Sequence, residues 1–338
     1  MADPLLAVRG LDVSYYSSRG TFQALTDVSI EIGYGEVFAV VGETGCGKST
    51  LGSAIPRLIP FPGQIDGGEI VLEGQDILHN TEEEMQEVRR HKVAMIFQDA
   101  TAALNPVYRV GDQLASSIQV AGTTNRKEVK DETVRLLADV GIPDAAKVAR
   151  QYPHELSGGM KQRVVIAIAL ARSPKLLIAD EPTANLDVTI QAQIVDLIME
   201  LRERRRMSII LIAHSMGLVA QMCDRIGVMY AGNLVEVGTM ADVFQNPQHP
   251  YTRGLLELAA LSEEEGHLRT IPGAVDISQA GADLCSFLGR CNLAASLPGE
   301  AHVCAEQRPG LRQSAAGGQS DRHVQTDHRV ACHLYERT

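Results

Sequence analysis

Gly42-Glu43-Thr44-Gly45-Cys46-Gly47-Lys48-Ser49-Thr50 reads G-x-x-x-x-G-K-S, a spacing that suits one task, the cradling of a polyphosphate. Glycines let successive backbone N–H groups turn toward an anion, the Lys48 ammonium reaches the terminal phosphates, and the Ser49 hydroxyl is a ligand for magnesium. Gly42, Gly45, Cys46, Gly47, Lys48, Ser49 and Thr50 are therefore the expected nucleotide-binding residues. A second set of chemical groups stands at Asp180-Glu181, where an apolar run ends in two carboxylates: one suited to hold a magnesium ion, the next to orient or deprotonate water. Gln98 and His214 each close an apolar run as well. A strand-end amide or imidazole is by itself more often structural, and these two gain weight only beside a phosphate loop.

Those groups need strands and helices to carry them. Val37-Phe38-Ala39-Val40-Val41 before the loop is a buried strand, and Leu51-Gly52-Ser53-Ala54-Ile55 after it continues a helix. Alternation from Leu5 to Ile32 predicts two or three antiparallel strands, with Tyr15 at the end of one; its ring would either stack an adenine or sit half-buried as an ordinary strand tyrosine. A strand over 93–97 delivers Gln98, one over 176–179 delivers the carboxylates, and one over 208–213 delivers His214. Between them, residues from about 99 to 158 change to a helical pattern, Val110 to Ala121 and Lys127 to Val140, that reads as an insertion. It closes on Leu156-Ser157-Gly158-Gly159, where Ser157 is the expected N-cap of a helix offering a second anion site. A long helix follows from Val188 to Arg204, and the core is expected to end near Val237. The glycine-, serine- and glutamine-rich run Gln313 to Ser320 reads as a linker.

Composition narrows the partners. In 338 residues, 31 basic side chains face 42 acidic ones, a net charge of −11, which gives no electrostatic footprint for nucleic acid. The apolar run Val164 to Ala171 lies between Arg163 and Arg172 and is too short to span a bilayer. With no basic n-region before an apolar core at the N-terminus, a secretory signal is not expected. That places the six cysteines in a reducing compartment, where structural disulfides are disfavoured.

With the phosphate loop, Gln98, Leu156-Ser157-Gly158-Gly159, Asp180-Glu181 and His214 in that order, the chain resembles an ABC transporter ATPase. More narrowly it is similar to the ATP-binding subunits of bacterial oligopeptide and dipeptide importers, through Ile96-Phe97-Gln98-Asp99, Leu104-Asn105-Pro106, Tyr152 to Met160, Asp187 to Gln193, Met229-Tyr230-Ala231-Gly232 and His249-Pro250-Tyr251-Thr252. The resemblance spans roughly residues 5 to 262 closely and the remainder more loosely. It implies an α/β P-loop NTPase core of the RecA type with an antiparallel β subdomain, a helical insertion and a small C-terminal extension. The implied division is 1–245 for the nucleotide-binding domain, with its helical subdomain at about 99–158, and 246–338 for the extension.

The resemblance also implies roles. Tyr15 would lie on adenine, and Ser49, Gln98 and Asp180 would surround Mg2+. Lys48 and Gln98 would assist catalysis, with Glu181 as the catalytic carboxylate and His214 as γ-phosphate sensor. Ser157, Gly158 and Gly159 would face ATP held by a partner cassette. Implied partners are a second, different ATPase subunit, two membrane permeases and an external solute-binding protein, with this chain peripheral on the cytoplasmic face of the inner membrane. The implied cargo is peptide. The alternatives are nickel or another small solute, or a soluble ABC ATPase of DNA repair or translation, against which the single cassette and the lack of sustained heptads argue. The departures from the family pattern are Ala184-Asn185, where threonine-alanine is commoner, and Ser215, where aspartate is frequent; neither removes a catalytic group.

Four of the six cysteines, Cys285, Cys291, Cys304 and Cys332, lie in the extension, with five, twelve and twenty-seven residues between them. The spacing lacks the short C-x-x-C arms of zinc ribbons, and four separated thiolates suit a [4Fe-4S] cluster. Unligated thiols and zinc stay open as the other outcomes, and His323, His328 and His333 are candidate ligands for a mixed site.

Overall fold

The computed structural model describes residues 3–18, 20–214, 216–261, 271–275, 281–314 and 327–335. The chain packs as two compact units, one formed by Met1–Leu78 with Ile212–Thr338, the other by His79–Leu211.

In the first unit, the alternating N-terminal stretch folds as two long strands, β1 (Leu6–Ser17) and β2 (Gly20–Ile32). They pair antiparallel with Leu6 opposite Ile32 and Val8 opposite Ile30. The loop strand β3 (Val37–Val41) is buried at every position, the pattern of a strand covered on both faces. Helix α1 (Lys48–Ala54) follows the glycine-rich loop, then β4 (Gly63–Leu72) and β5 (Gln75–Asp76). Strand β1 lies between β2 and β4 in a four-stranded antiparallel sheet ordered β2-β1-β4-β5, with Leu6, Val8, Leu11 and Val13 buried.

The second unit holds α2 (Glu82–His91), β6 (Val93–Ile96), α3 (Ala100–Ala103), α4 (Val110–Val120), α5 (Arg126–Asp139), α6 (Ala145–Val148), α7 (Gly158–Leu170), β7 (Leu176–Asp180) and α8 (Val188–Arg205). Local chemistry sets the helix starts. At α2 a capping box closes, the Glu84 N–H donating to Thr81 Oγ1 while the Thr81 N–H donates to the Glu84 carboxylate. Asn125 caps α5 by accepting the Lys127 and Glu128 N–H groups, and Asp187 caps α8 by accepting the Ile190 N–H, without a reciprocal bond. Strands β6 and β7 run parallel, Val93 opposite Leu176 and Ile96 opposite Ala179, so Gln98 and Glu181 emerge from the same end of adjacent strands.

Strand β8 (Ser208–Ala213) carries the chain back into the first unit, followed by α9 (Met216–Ala220), β9 (Arg225–Tyr230), β10 (Asn233–Thr239), α10 (Met240–Gln245) and α11 (Pro250–Leu261). Beyond it lie α12 (Asn292–Ser296), α13 (His302–Glu306), β11 (Arg312–Gln313) and β12 (Arg329–Val330). In this unit β3 pairs parallel with β9, and β10, β12 and β11 continue antiparallel outward. The start of the stretch read as a linker is therefore structured. Gln313 belongs to β11, and Ser314 is buried with its N–H on the His328 carbonyl and its hydroxyl 2.6 Å from the Tyr335 hydroxyl. A two-residue strand has no periodicity to read, so no sequence pattern marks it. Residues 315–320 lie outside the described residues, as do Ser215 and His323.

A buried carboxylate anchors this end of the chain. Glu236 in β10 is 0% exposed and accepts the N–H groups of Gln248 and His249 and the Nε2–H of His328, each at 2.8 Å. Three donors satisfy a charge that would otherwise be costly to bury.

Candidate nucleotide site

Between β3 and α1 the glycines are positional requirements. Gly42 has a φ of 152°, and a Cβ there would strike the Met229 carbonyl oxygen and lie 2.7 Å from Cys46 Sγ. At Gly47, φ 104°, a Cβ would lie 2.6 Å from the Ala24 carbonyl oxygen. At Gly45 it would meet nothing within 4 Å. The loop is thus wedged against β2 and β9 at two points and open at the third, a cradle whose free side suits a phosphate. Lys48, 4% exposed, donates from Nζ to the carbonyls of Gly42 (2.8 Å) and Glu43 (3.0 Å), with Cys46 Sγ at 3.7 Å. Burial pushes the Cys46 thiol pKa up, so it stays a neutral packing group. Ser49 is exposed and Thr50 half-buried in the first turn of α1.

His214 approaches the same loop from the end of β8. Its Nδ1 lies 3.3 Å from the Gly42 carbonyl oxygen, so that nitrogen carries the hydrogen and donates. Tyr15 is half-buried in β1, opposite Phe22 on one side and Gly63 on the other. A Cβ at Gly63 would lie 2.8 Å from its ring.

In the second unit, Asp180 ends β7 and is 5% exposed. Glu181 follows in the left-handed region, φ 47°, and Asn185 repeats this at 61°. A glutamate held there costs on the order of 1 to 3 kcal/mol, which the surrounding structure must supply. Gln98 Nε2 donates to Glu181 Oε2 at 2.7 Å, fixing the amide so that its oxygen points away from the carboxylate. Ser157 caps α7, accepting the Met160 N–H at 3.3 Å, and Ser157 and Gly158 are exposed.

Sequence reasoning missed one group. Glu43, inside the loop, donates its N–H to the Tyr251 hydroxyl at 2.9 Å, and its carboxylate is held by Arg290. Tyr251 lies in His249-Pro250-Tyr251-Thr252 and Tyr230 in Met229-Tyr230-Ala231-Gly232, words that carried the resemblance without a stated role. The one signal in the chain was a lone acidic residue in a loop built to receive an anion.

The extension's thiols are close enough to affect one another. Cys285 and Cys304 share a hydrogen bond that raises the Cys285 pKa, with burial adding to it, and lowers that of Cys304 to about 7. Burial pushes Cys291 up and Cys332 up to about 11, and each also feels the charge of Cys304. Among the described residues, no group of three or more His, Cys, Asp or Glu is arranged to hold a metal ion. Two of the histidines have other partners: His328 is on Glu236, and His333 Nε2 lies 2.9 Å from the Gln307 carbonyl.

A parallel sheet with a glycine-wedged lysine loop in one unit, and a strand-end acidic pair with an exposed Ser-Gly-Gly helix start in the other, define a P-loop ATPase of the cassette type. Residues 25–184 match the family model described as ABC transporter, and 235–296 match the oligopeptide/dipeptide transporter C-terminal region. The chain is 41% identical over 334 residues to a probable peptide ABC transporter ATP-binding protein of Sinorhizobium fredii, covering 98% of this chain and 95% of that one. It is 48% identical to the oligopeptide transport ATP-binding protein OppD of Bacillus subtilis, over 80% and 76% of the two chains. It is 41% identical to the dipeptide transport ATP-binding protein DppD of Escherichia coli, over 96% and 97%. Among solved structures, cbiO1 of Clostridium perfringens, part of an ABC transporter complex, superposes with a TM-score of 0.63 at 27% identity, over 78% of this chain and 96% of that one. The chain belongs to the ABC transporter ATP-binding family, in the branch that carries the oligopeptide/dipeptide transporter C-terminal region.

Proposed function

We propose that this ATPase drives peptide import, closing on ATP with a second cassette and reopening on hydrolysis while separate permeases carry the cargo. Three relatives named as peptide, oligopeptide and dipeptide transport proteins support that cargo, each covering at least three quarters of both chains. Residues 1–245 form the cassette, with 99–158 as its helical subdomain and 246–338 as the extension. The observation that carries the mechanism is the Gln98–Glu181 hydrogen bond at 2.7 Å, which puts the proposed catalytic carboxylate and a magnesium-side amide in one hydrogen-bonded pair.

In this reading Glu181 orients the attacking water and takes its proton, and His214 senses the γ-phosphate through Nε2 while Nδ1–H is held by the loop. Lys48 leaves its two carbonyl partners to meet the phosphates, Gly42 to Thr50 cradle them, and Tyr15 stacks the base. The hydroxyl of Ser49, the amide oxygen of Gln98 and the carboxylate of Asp180 are hard oxygen donors and fit Mg2+, which when bound supplies charge neutralisation on the β- and γ-phosphates. The exposure of Ser157 and Gly158 supports their facing a partner cassette's ATP. Exposed Phe97, Val107 and Tyr108, 47%, 72% and 56% accessible, support a permease contact beside Gln98. A site of action on the inner face of the cell membrane, served by an external solute-binding protein, follows from the same reading. Among the described residues no helix is long and apolar enough to cross a membrane.

Cys285, Cys291, Cys304 and Cys332 supply four thiols, the ligand chemistry of a [4Fe-4S] cluster; the described residues gather no such group as they stand, so a cluster would have to draw the four together, and its binding would then add folding energy to the extension. The functional test is reconstitution with the permeases encoded beside this chain: peptide uptake should require ATP hydrolysis, and nickel uptake without peptide uptake would overturn the cargo.

A further inference from the structure

Arg290, in the extension, reaches the phosphate loop with a charged side chain, and its guanidinium has no spare donor. Nη1 donates to Glu43 Oε2 at 2.9 Å and to the Tyr230 hydroxyl at 3.3 Å. Nη2 donates to Glu43 Oε1 at 3.1 Å and to the Ile271 carbonyl at 3.2 Å, and Nε donates to the Pro272 carbonyl at 2.7 Å. All five N–H bonds are thereby used, two of them in the planar fork that lysine cannot reproduce. The side chain is 8% exposed, against 28% for Glu43, and its guanidinium carbon lies 5.7 Å from the centre of the Tyr230 ring.

The carboxylate it neutralises is the one negative side chain inside a loop whose work is to receive a highly negative ligand. Left unpaired, Glu43 would repel the polyphosphate in surroundings that screen poorly. Tyr251 fixes the same residue from its backbone side, so Glu43 is held at both N–H and carboxylate by elements C-terminal to β10. Arg290 in turn stands in a one-turn helix, Leu288–Arg290, whose N–H bonds run back to Cys285 and Phe287 and which leads directly into Cys291.

We infer that Arg290 is a positioning residue for ATP: by clamping and neutralising Glu43 it makes the affinity of the phosphate loop depend on the folded C-terminal extension. The inference rests on the loop as the nucleotide site, and binding by the parent tests that separately. Coupling of this kind is reciprocal, so nucleotide must also tighten the extension.

The test is equilibrium binding of a magnesium complex of a non-hydrolysable ATP analogue to the full chain. Arg290→Ala should weaken binding by roughly 5- to 30-fold. Arg290→Ala with Glu43→Gln should recover most of that loss, because the bare carboxylate is gone. In the assembled transporter, Arg290→Ala should raise KM for ATP and leave kcat at saturation within about twofold. An unchanged affinity in folded Arg290→Ala overturns the inference, and so does a loss that Glu43→Gln fails to relieve, which would make Arg290 a purely structural tie. Should Arg290→Ala fail to fold, amide exchange on the parent decides: the analogue should slow exchange across residues 287–291, and unchanged exchange there overturns the coupling. A parent that does not bind the analogue at all would instead refute the nucleotide site.

Discussion

Glu181 leaves β7 with a φ of 47° and accepts the Gln98 amide, two constraints on one carboxylate that a merely solvated surface glutamate does not need. Glu181→Gln keeps the size of the side chain and removes the proton acceptor. Turnover in the assembled transporter should fall by more than about 100-fold while ATP binding persists, because general-base removal costs that much and the cradle is untouched. Steady-state ATPase rates beside equilibrium nucleotide binding check it, and parent-like turnover would show that Glu181 has been given the wrong role. The residue scale is also where sequence stopped. The glutamate in the loop was visible, but its partner stands 247 positions away, and no local pattern connects the two.

Element by element, the pivot of the C-terminal region is the turn from α10 into α11. His249 there is 2% exposed, accepts the Tyr251 N–H on Nδ1 at 3.1 Å and donates its own N–H to Glu236. Burial lowers its pKa from 6.5 to about 4; the Glu236 charge opposes this and Arg253 adds to it. The folded form therefore holds the ring neutral, and an unfolded chain takes up a proton first as pH falls. Stability from this group is complete above about pH 6.5 and is lost as pH drops toward 4, a total on the order of 3 kcal/mol. Urea unfolding across that range should show the loss in the parent. His249→Asn, whose side-chain oxygen stands near the place of Nδ1, should lack that part of the slope. Parallel pH profiles for parent and variant would contradict the assignment. The start of α7, by contrast, is legible in the sequence: a serine before two glycines and a largely apolar helical run is placed to cap it.

For the molecule as a whole, two measurements bear on its place in a transporter. A photo-reactive group at Ala102 or Ala103, in the exposed short helix after Gln98, should cross-link to a permease. Contacts captured only through residues beyond 246 would remove that segment from the docking surface. The second concerns the extension. Protein purified without oxygen should carry iron and acid-labile sulfide, and colourless protein with four alkylatable native thiols at Cys285, Cys291, Cys304 and Cys332 would retire the cluster.

Sequence by itself determined the chemistry that is local: a loop of nine contiguous residues, strand tips marked by an apolar run ending in Gln98, Asp180-Glu181 or His214, and helices announced by caps and periodicity. Such signals survive in one dimension because the groups involved are neighbours along the chain or repeat at 2 or 3.6 residues. Only the tertiary structure decided that Arg290 meets Glu43, that Glu236 is buried under three donors, and that a two-residue strand from the tail pairs with β10. The Glu236–His328 and Glu43–Arg290 contacts join residues 92 and 247 positions apart, and their stability comes from burial and shared hydrogen bonds that exist once the chain has closed on itself.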